Sequence, residues 1–163
     1  MKAVTIKELK EELSDCAPKD LRDLCLRLAR FKKENKELLA YLLFESSDEA
    51  LYIEGVKKEV DDQFEQINRK SYRFIKKSFS KILRSIRKYS RYSQKKETEV
   101  ELLVYFCTKL KKFTPSIQKN TGLKNFYDKQ IIAIRKKASQ LHEDLQFDYN
   151  VELEKLNNRT DQL

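Results

Sequence analysis

Apolar residues recur every three or four positions through most of the chain, the spacing of one helical face. Thr5 and Glu8 have capping-box spacing, and Ile6, Leu9 and Leu13 follow, so a first helix is predicted over about 5–14. Pro18 suits a helical first turn, where its missing N–H costs nothing. Leu21, Leu24, Cys25, Leu28 and Phe31 then form a stripe, the polar run KKENKE interrupts it, and Leu38, Leu39, Leu42 and Leu43 resume it. Two readings fit: a third helix capped by Asn35, or one bent helix over 18–45.

Ser46 to Glu49 repeats the capping-box spacing and predicts a fourth helix over about 48–68, with Ile53, Val56, Val60, Phe64 and Ile67 inside. Gly55 stands in its middle, at a cost of roughly 1 kcal/mol relative to alanine, which suggests close helix packing there. A fifth helix is predicted over about 70–92 and a sixth over about 96–113. Thr114 and Pro115 offer a further cap and helix start, and Gly122 a break or kink. Leu123, Tyr127, Ile131, Ile134, Ala138, Leu141 and Leu145 make one stripe, continued by Tyr149, Leu153 and Leu156. One helix over 123–157 would be about 50 Å long, with an end that projects or pairs with another copy of the chain.

These elements predict an all-α protein: six or seven helices in a bundle or short right-handed superhelix, with a long C-terminal helix, at least about 65% helix and no sheet. Only two Gly and two Pro occur in 163 residues, which supports few connections, and 40% hydrophobic residues suffice for one core. A single domain over 1–163 is expected, with 158–163 as a frayed tail.

Charge changes the picture at one place. The formal net charge is +9, yet residues 69–96 hold twelve Lys or Arg and no acid, so the rest of the chain is mildly acidic. On a helical wheel Lys70, Arg73, Lys77, Lys81, Arg84, Lys88, Arg91 and Lys95 share one arc, with Arg69, Lys76 and Arg87 beside it. Tyr72, Ile75, Phe79, Ile82, Leu83 and Ile86 lie opposite. The segment reads as an amphipathic helix whose apolar face meets the core. Its like charges repel, so a counter-charge is expected. It could come from within. Residues 45–65 hold eight acids against two lysines, and Glu54, Asp61 and Glu65 share a face that would flank the basic helix in an antiparallel hairpin. Residues 142–161 hold six acids against Lys155 and Arg159. It could also come from outside, as an acidic protein partner or, alternatively, a nucleic-acid backbone, with Phe74, Tyr89 and Tyr92 placed to stack on bases. No helix-turn-helix spacing, zinc finger, RNP motif or GXXG loop accompanies the basic run.

Catalytic and metal chemistry find little footing. Cys16, Cys25 and Cys107 have no paired spacing, and Cys25 and Cys107 lie in apolar runs that predict small buried hydrophobes. The one histidine, His142, has Gln146 rather than a ligand at i+4, and Asp144 with Asp148 is too small a set to specify a cation. Gly55 and Gly122 are isolated, so no phosphate-cradling loop forms. The expectation is a non-enzymatic interaction or scaffold module with no cofactor. The longest apolar run, at 38–44, is far too short for a membrane span, and no signal peptide is evident, so a cytosolic protein is expected.

LCLRLARFKKENKELLAYLL and LLVYFCTKLKKFTPSIQKNTGLKNFY share an order of apolar helix, basic turn and second helix. This loosely resembles the helix pairs of HEAT and armadillo repeats and implies that type of architecture. LCLRLARFKKENKELLAYLLFE and LHEDLQFDY also resemble a family of small bacterial helical proteins, a resemblance that implies no activity or site.

Overall fold

The computed structural model describes residues 3–157. Helix accounts for 82% of them, and no strand occurs among them. The chain divides into two compact units, one through Ser46 and one from Ser47. The predicted tail at 158–163 lies outside the described residues.

The N-terminal unit holds α1 (Ile6–Ser14), α2 (Pro18–Phe31), α3 (Lys33–Ala40) and a π-helical turn (Tyr41–Glu45). The Thr5–Glu8 capping box forms as expected. Lys32 breaks the chain between α2 and α3 by adopting an extended backbone, φ −140° and ψ 142°. This excludes the single bent helix. Asn35 does not cap α3; its side-chain amide donates to the Leu28 carbonyl at 2.8 Å and satisfies the end of α2 instead. Tyr41 is the unit's one buried hydrophobic side chain among the described residues. Cys25, expected inside, is exposed, because α2 covers none of its own stripe within this unit.

The C-terminal unit holds α4 (Glu49–Glu65), α5 (Tyr72–Ser93), α6 (Lys96–Lys111), a 3-10 turn (Ile117–Lys119), α7 (Thr121–Ala138) and α8 (Glu143–Asn157). Eight α-helices therefore stand among the described residues where six or seven were expected. Helix α6 is the hub. Val100, Leu102, Leu103, Phe106, Cys107 and Leu110 bury nearly all of its circumference, and α4, α5, α7 and α8 pack around it. The aromatic centre joins Phe64, Phe79, Phe106, Phe113 and Phe126, with ring centroids 5.1–6.5 Å apart.

Three helix boundaries correct the sequence reading. Asp48, not Ser46, caps α4 by accepting from Leu51 N–H at 3.0 Å. Asn120, not Thr114, caps α7 through Leu123 N–H, so the break expected near Gly122 falls just before it and Gly122 sits in the first turn of α7. The single C-terminal helix is two. Residues 139–142 form a turn between α7 and α8, and the Gln146 side chain donates to the Leu141 carbonyl at 2.7 Å. Helix α8 returns antiparallel along α7, so that Tyr127 Oη near the start of α7 donates to the Leu156 carbonyl at 3.0 Å near the end of α8. The return buries Leu141, Leu153 and Leu156, which a projecting rod would leave in water. The projecting end that suggested self-association through this helix is therefore absent from the described residues.

Close packing does not explain Gly55 either, since a Cβ built there meets nothing within 4 Å. Gly55 then costs helix propensity with no packing return. Gly55→Ala is expected to stabilise the C-terminal unit by roughly 0.5–1 kcal/mol in urea denaturation. An unchanged or lowered midpoint would show that the glycine has a role the helix geometry does not reveal.

Candidate functional site

The basic segment forms a helix for the reasons its pattern gives. Ser71 caps it, accepting from Phe74 N–H, and Gln94 ends it in the left-handed region at φ 59°. Ile75, Phe79, Ile82, Leu83 and Ile86 are all buried. Six of the eight predicted face residues, Arg73, Lys77, Lys81, Arg84, Lys88 and Arg91, stand on α5 itself. Lys70 precedes the Ser71 cap, and Lys95 follows Gln94 as the residue leading into α6. The stripe on the helix is therefore shorter than the sequence implied. From Arg73 to Arg91 it spans about 27 Å at the helical rise per residue.

The antiparallel hairpin of α4 and α5 is present. Tyr52 Oη donates to the Tyr89 carbonyl at 3.0 Å, and Phe64 meets Phe79 further along. The expected counter-charge does not follow from it. Glu54 pairs with Lys57 of its own helix at 2.9 Å. Asp61 faces α6, where Lys109 Nζ lies 2.9 Å away and Tyr105 Oη donates to both carboxylate oxygens. Glu65 is exposed. The face shared by these acids meets α6 and solvent, not the outer side of α5. Among the described acids of α8, only Asp144 lies within 4 Å of a basic side chain, 3.5 Å from His142 Nδ1, and both side chains are largely exposed.

Lys95 pairs with Glu49 Oε2 at 3.1 Å. Glu49 also accepts from Ser93 Oγ and from buried Thr98 Oγ1, which locks the α5–α6 turn. Lys88 Nζ sits 4.5 Å from the centre of the Tyr89 ring. Lys70, Arg73, Lys77, Lys81, Arg84 and Arg91 are exposed and lie in no ion pair among the described residues. The aromatic residues proposed for stacking are divided. Tyr89 Oη donates to Glu59 at 2.7 Å, and its ring meets Tyr92 edge-on at 6.0 Å. Phe74, at 48% exposure, borders the basic arc.

Sequence reasoning missed the polar ties around α6. Lys57 bridges Glu54 and Glu101, and Lys137 reaches Glu99 at 2.9 Å. Burial opposes the charge on Lys57, but the hydrogen bonds it donates to Glu101 and Glu54 outweigh it and hold the ammonium above its ordinary range. Burial likewise opposes ionisation of Asp61, but its bonds from Lys109 and Tyr105 hold the carboxyl below its ordinary range. That tie is present at neutral pH and is lost as pH falls through the lowered value. Burial and the bond to Asp61 push Tyr105 up to about 12. Burial alone pushes Cys107 up to about 12, which makes it a packing residue rather than a nucleophile. No group of three or more metal-ligating side chains gathers among the described residues, and no described helix is long and apolar enough to cross a membrane.

Comparison with known proteins finds no matching family model, no matching curated protein and no matching solved structure. The HEAT and armadillo resemblance gains no support from these comparisons. The two helix pairs that carry it also differ in build. A single extended residue joins α2 to α3, whereas a loop with a 3-10 turn joins α6 to α7.

Proposed function

We propose that this chain is a non-enzymatic helical interaction module that docks an extended polyanion along α5. The observation that carries the reading is the open stripe. Six cations of the face are exposed and lie in no ion pair among the described residues, and Glu54 and Asp61, expected to neutralise them, are paired elsewhere while Glu65 faces solvent. Like charges at i,i+4 cost a few tenths of a kcal/mol each, so an external anion relieves a repulsion the fold maintains.

Of the two polyanions the sequence suggests, a nucleic-acid backbone suits this face better than an acidic protein. Protein interfaces draw their energy from buried aromatic and apolar anchors and are poor in lysine, and exposed ion pairs contribute about 0–1 kcal/mol each. This face is lysine and arginine edged by serine. Phosphate contacts need no apolar anchor, because counterion release supplies the free energy. Tyr89 and Tyr92 are engaged within the fold, so base stacking adds little and binding is independent of sequence. Exposed Phe74 favours the acidic protein partner as a second reading, since it offers that partner one apolar anchor.

Fluorescence anisotropy with labelled duplex DNA, duplex RNA, single strands and an acidic peptide separates the readings. With about six phosphates neutralised, log K should fall against log salt with a slope of about −5 on duplex, whatever its sequence. Binding to the acidic peptide alone would establish the second reading. No binding to either at low salt would remove both.

A further inference from the structure

The N-terminal unit carries an interface of its own. Ile6, Leu9 and Leu13 on α1, and Leu24, Leu28 and Phe31 on α2, each form a helical stripe, and all are 42–81% exposed. Leu42, Leu43 and Phe44 of the π-helical turn are exposed as well. A unit of this size that buries one large apolar side chain among its described residues has no core to hold it, and its two cysteines are free. Exposed apolar surface of this extent marks an association site.

Charge says what covers it. Residues 1–46 carry ten Lys or Arg against nine Asp or Glu, so two such units meet almost without net repulsion, whereas the rest of the chain is strongly basic. The charges are also segregated. Residues 3–16 hold Glu8, Glu11, Glu12 and Asp15 against Lys7 and Lys10. Residues 27–36 hold five cations against Glu34. An acidic first helix and a basic junction between the second and third are complementary when two copies run in opposite directions, as a two-fold interface requires. We infer that the chain forms a homodimer through α1 and α2 of its N-terminal unit, the acidic helix of each copy lying beside the basic junction of the other.

Light scattering after size exclusion should give twice the 19.5 kDa chain mass at micromolar concentration. Leu28→Asp with Phe31→Asp should give monomer, with the melting transition of the C-terminal unit unchanged because none of these residues belongs to its core. Charge reversal supplies the decisive arm. Glu11→Lys with Glu12→Lys should weaken the dimer at least tenfold, as should Arg27→Glu with Arg30→Glu, and mixing the two variants should restore association as a mixed dimer. A monomeric wild-type chain at 100-fold higher concentration overturns the inference. So does a dimer that survives the apolar changes, or reversed variants that fail to rescue each other.

Discussion

Replacing Phe79 with alanine is expected to cost the C-terminal unit roughly 3–5 kcal/mol, the largest loss among single substitutions considered for this protein. The Phe79 ring is fully buried and meets Phe64, Phe106, Phe113 and Phe126 at once, from four different parts of the chain. Truncation removes the transfer free energy of the ring and leaves a cavity that four rigid rings cannot collapse to fill. For a unit of this size the loss should lower the melting temperature by more than about 10 °C. Phe147→Ala provides the control, since Phe147 is 70% exposed on α8 and its truncation should change stability by less than about 0.5 kcal/mol. If Phe79→Ala melted with the wild-type chain, the aromatic centre would not be what holds these helices together.

The inner face of α5 was legible in the sequence because Ile75, Phe79, Ile82, Leu83 and Ile86 recur with helical period opposite the cations. Such a pattern has one solution, core on one side and water on the other. The division of the last helix was not legible, for a geometric reason. The turn at 139–142 is four residues long, close to one helical period, so Ala138, Leu141 and Leu145 keep steps of three and four across it. A stripe that stays in phase through a turn conceals the turn. The Gln146 side chain that closes it by bonding the Leu141 carbonyl is an unremarkable glutamine in the sequence.

The counter-charge failed at a different level. Spacing correctly places Glu54 and Asp61 on one side of α4 but cannot say which neighbour that side meets. Lys109 and Tyr105, more than forty residues away, claim Asp61. Glu59 and Glu49, which the spacing argument passed over, are the acids of α4 that meet the α5 side, Glu59 at the Tyr89 hydroxyl and Glu49 at Ser93 and Lys95. In the N-terminal unit the pattern again gives the apolar stripe and not its cover, so Cys25 and Leu28 read as core residues and stand exposed.

Replacing Arg73, Lys77, Lys81 and Arg84 together with glutamine should lower duplex affinity about 10²–10³-fold near physiological salt and reduce the salt slope from about −5 to about −2, since each lost phosphate contact removes about 0.9 from it. These four are chosen because Lys88 is engaged with the Tyr89 ring and Lys95 with Glu49, so changing either would mix binding with folding. Thermal stability provides the second readout, and its sign is informative. Arg73, Lys77 and Lys81 follow one another at i,i+4, with Arg84 three positions on, and none is in an ion pair among the described residues. Removing the charges ends a repulsion worth a few tenths of a kcal/mol per pair, so the variant should melt at or slightly above the wild-type temperature. A variant that melts lower would mean that acids of the chain neutralise the stripe in solution. A variant that melts higher yet binds duplex with unchanged affinity and slope would mean that the open face of α5 is not where the polyanion lies.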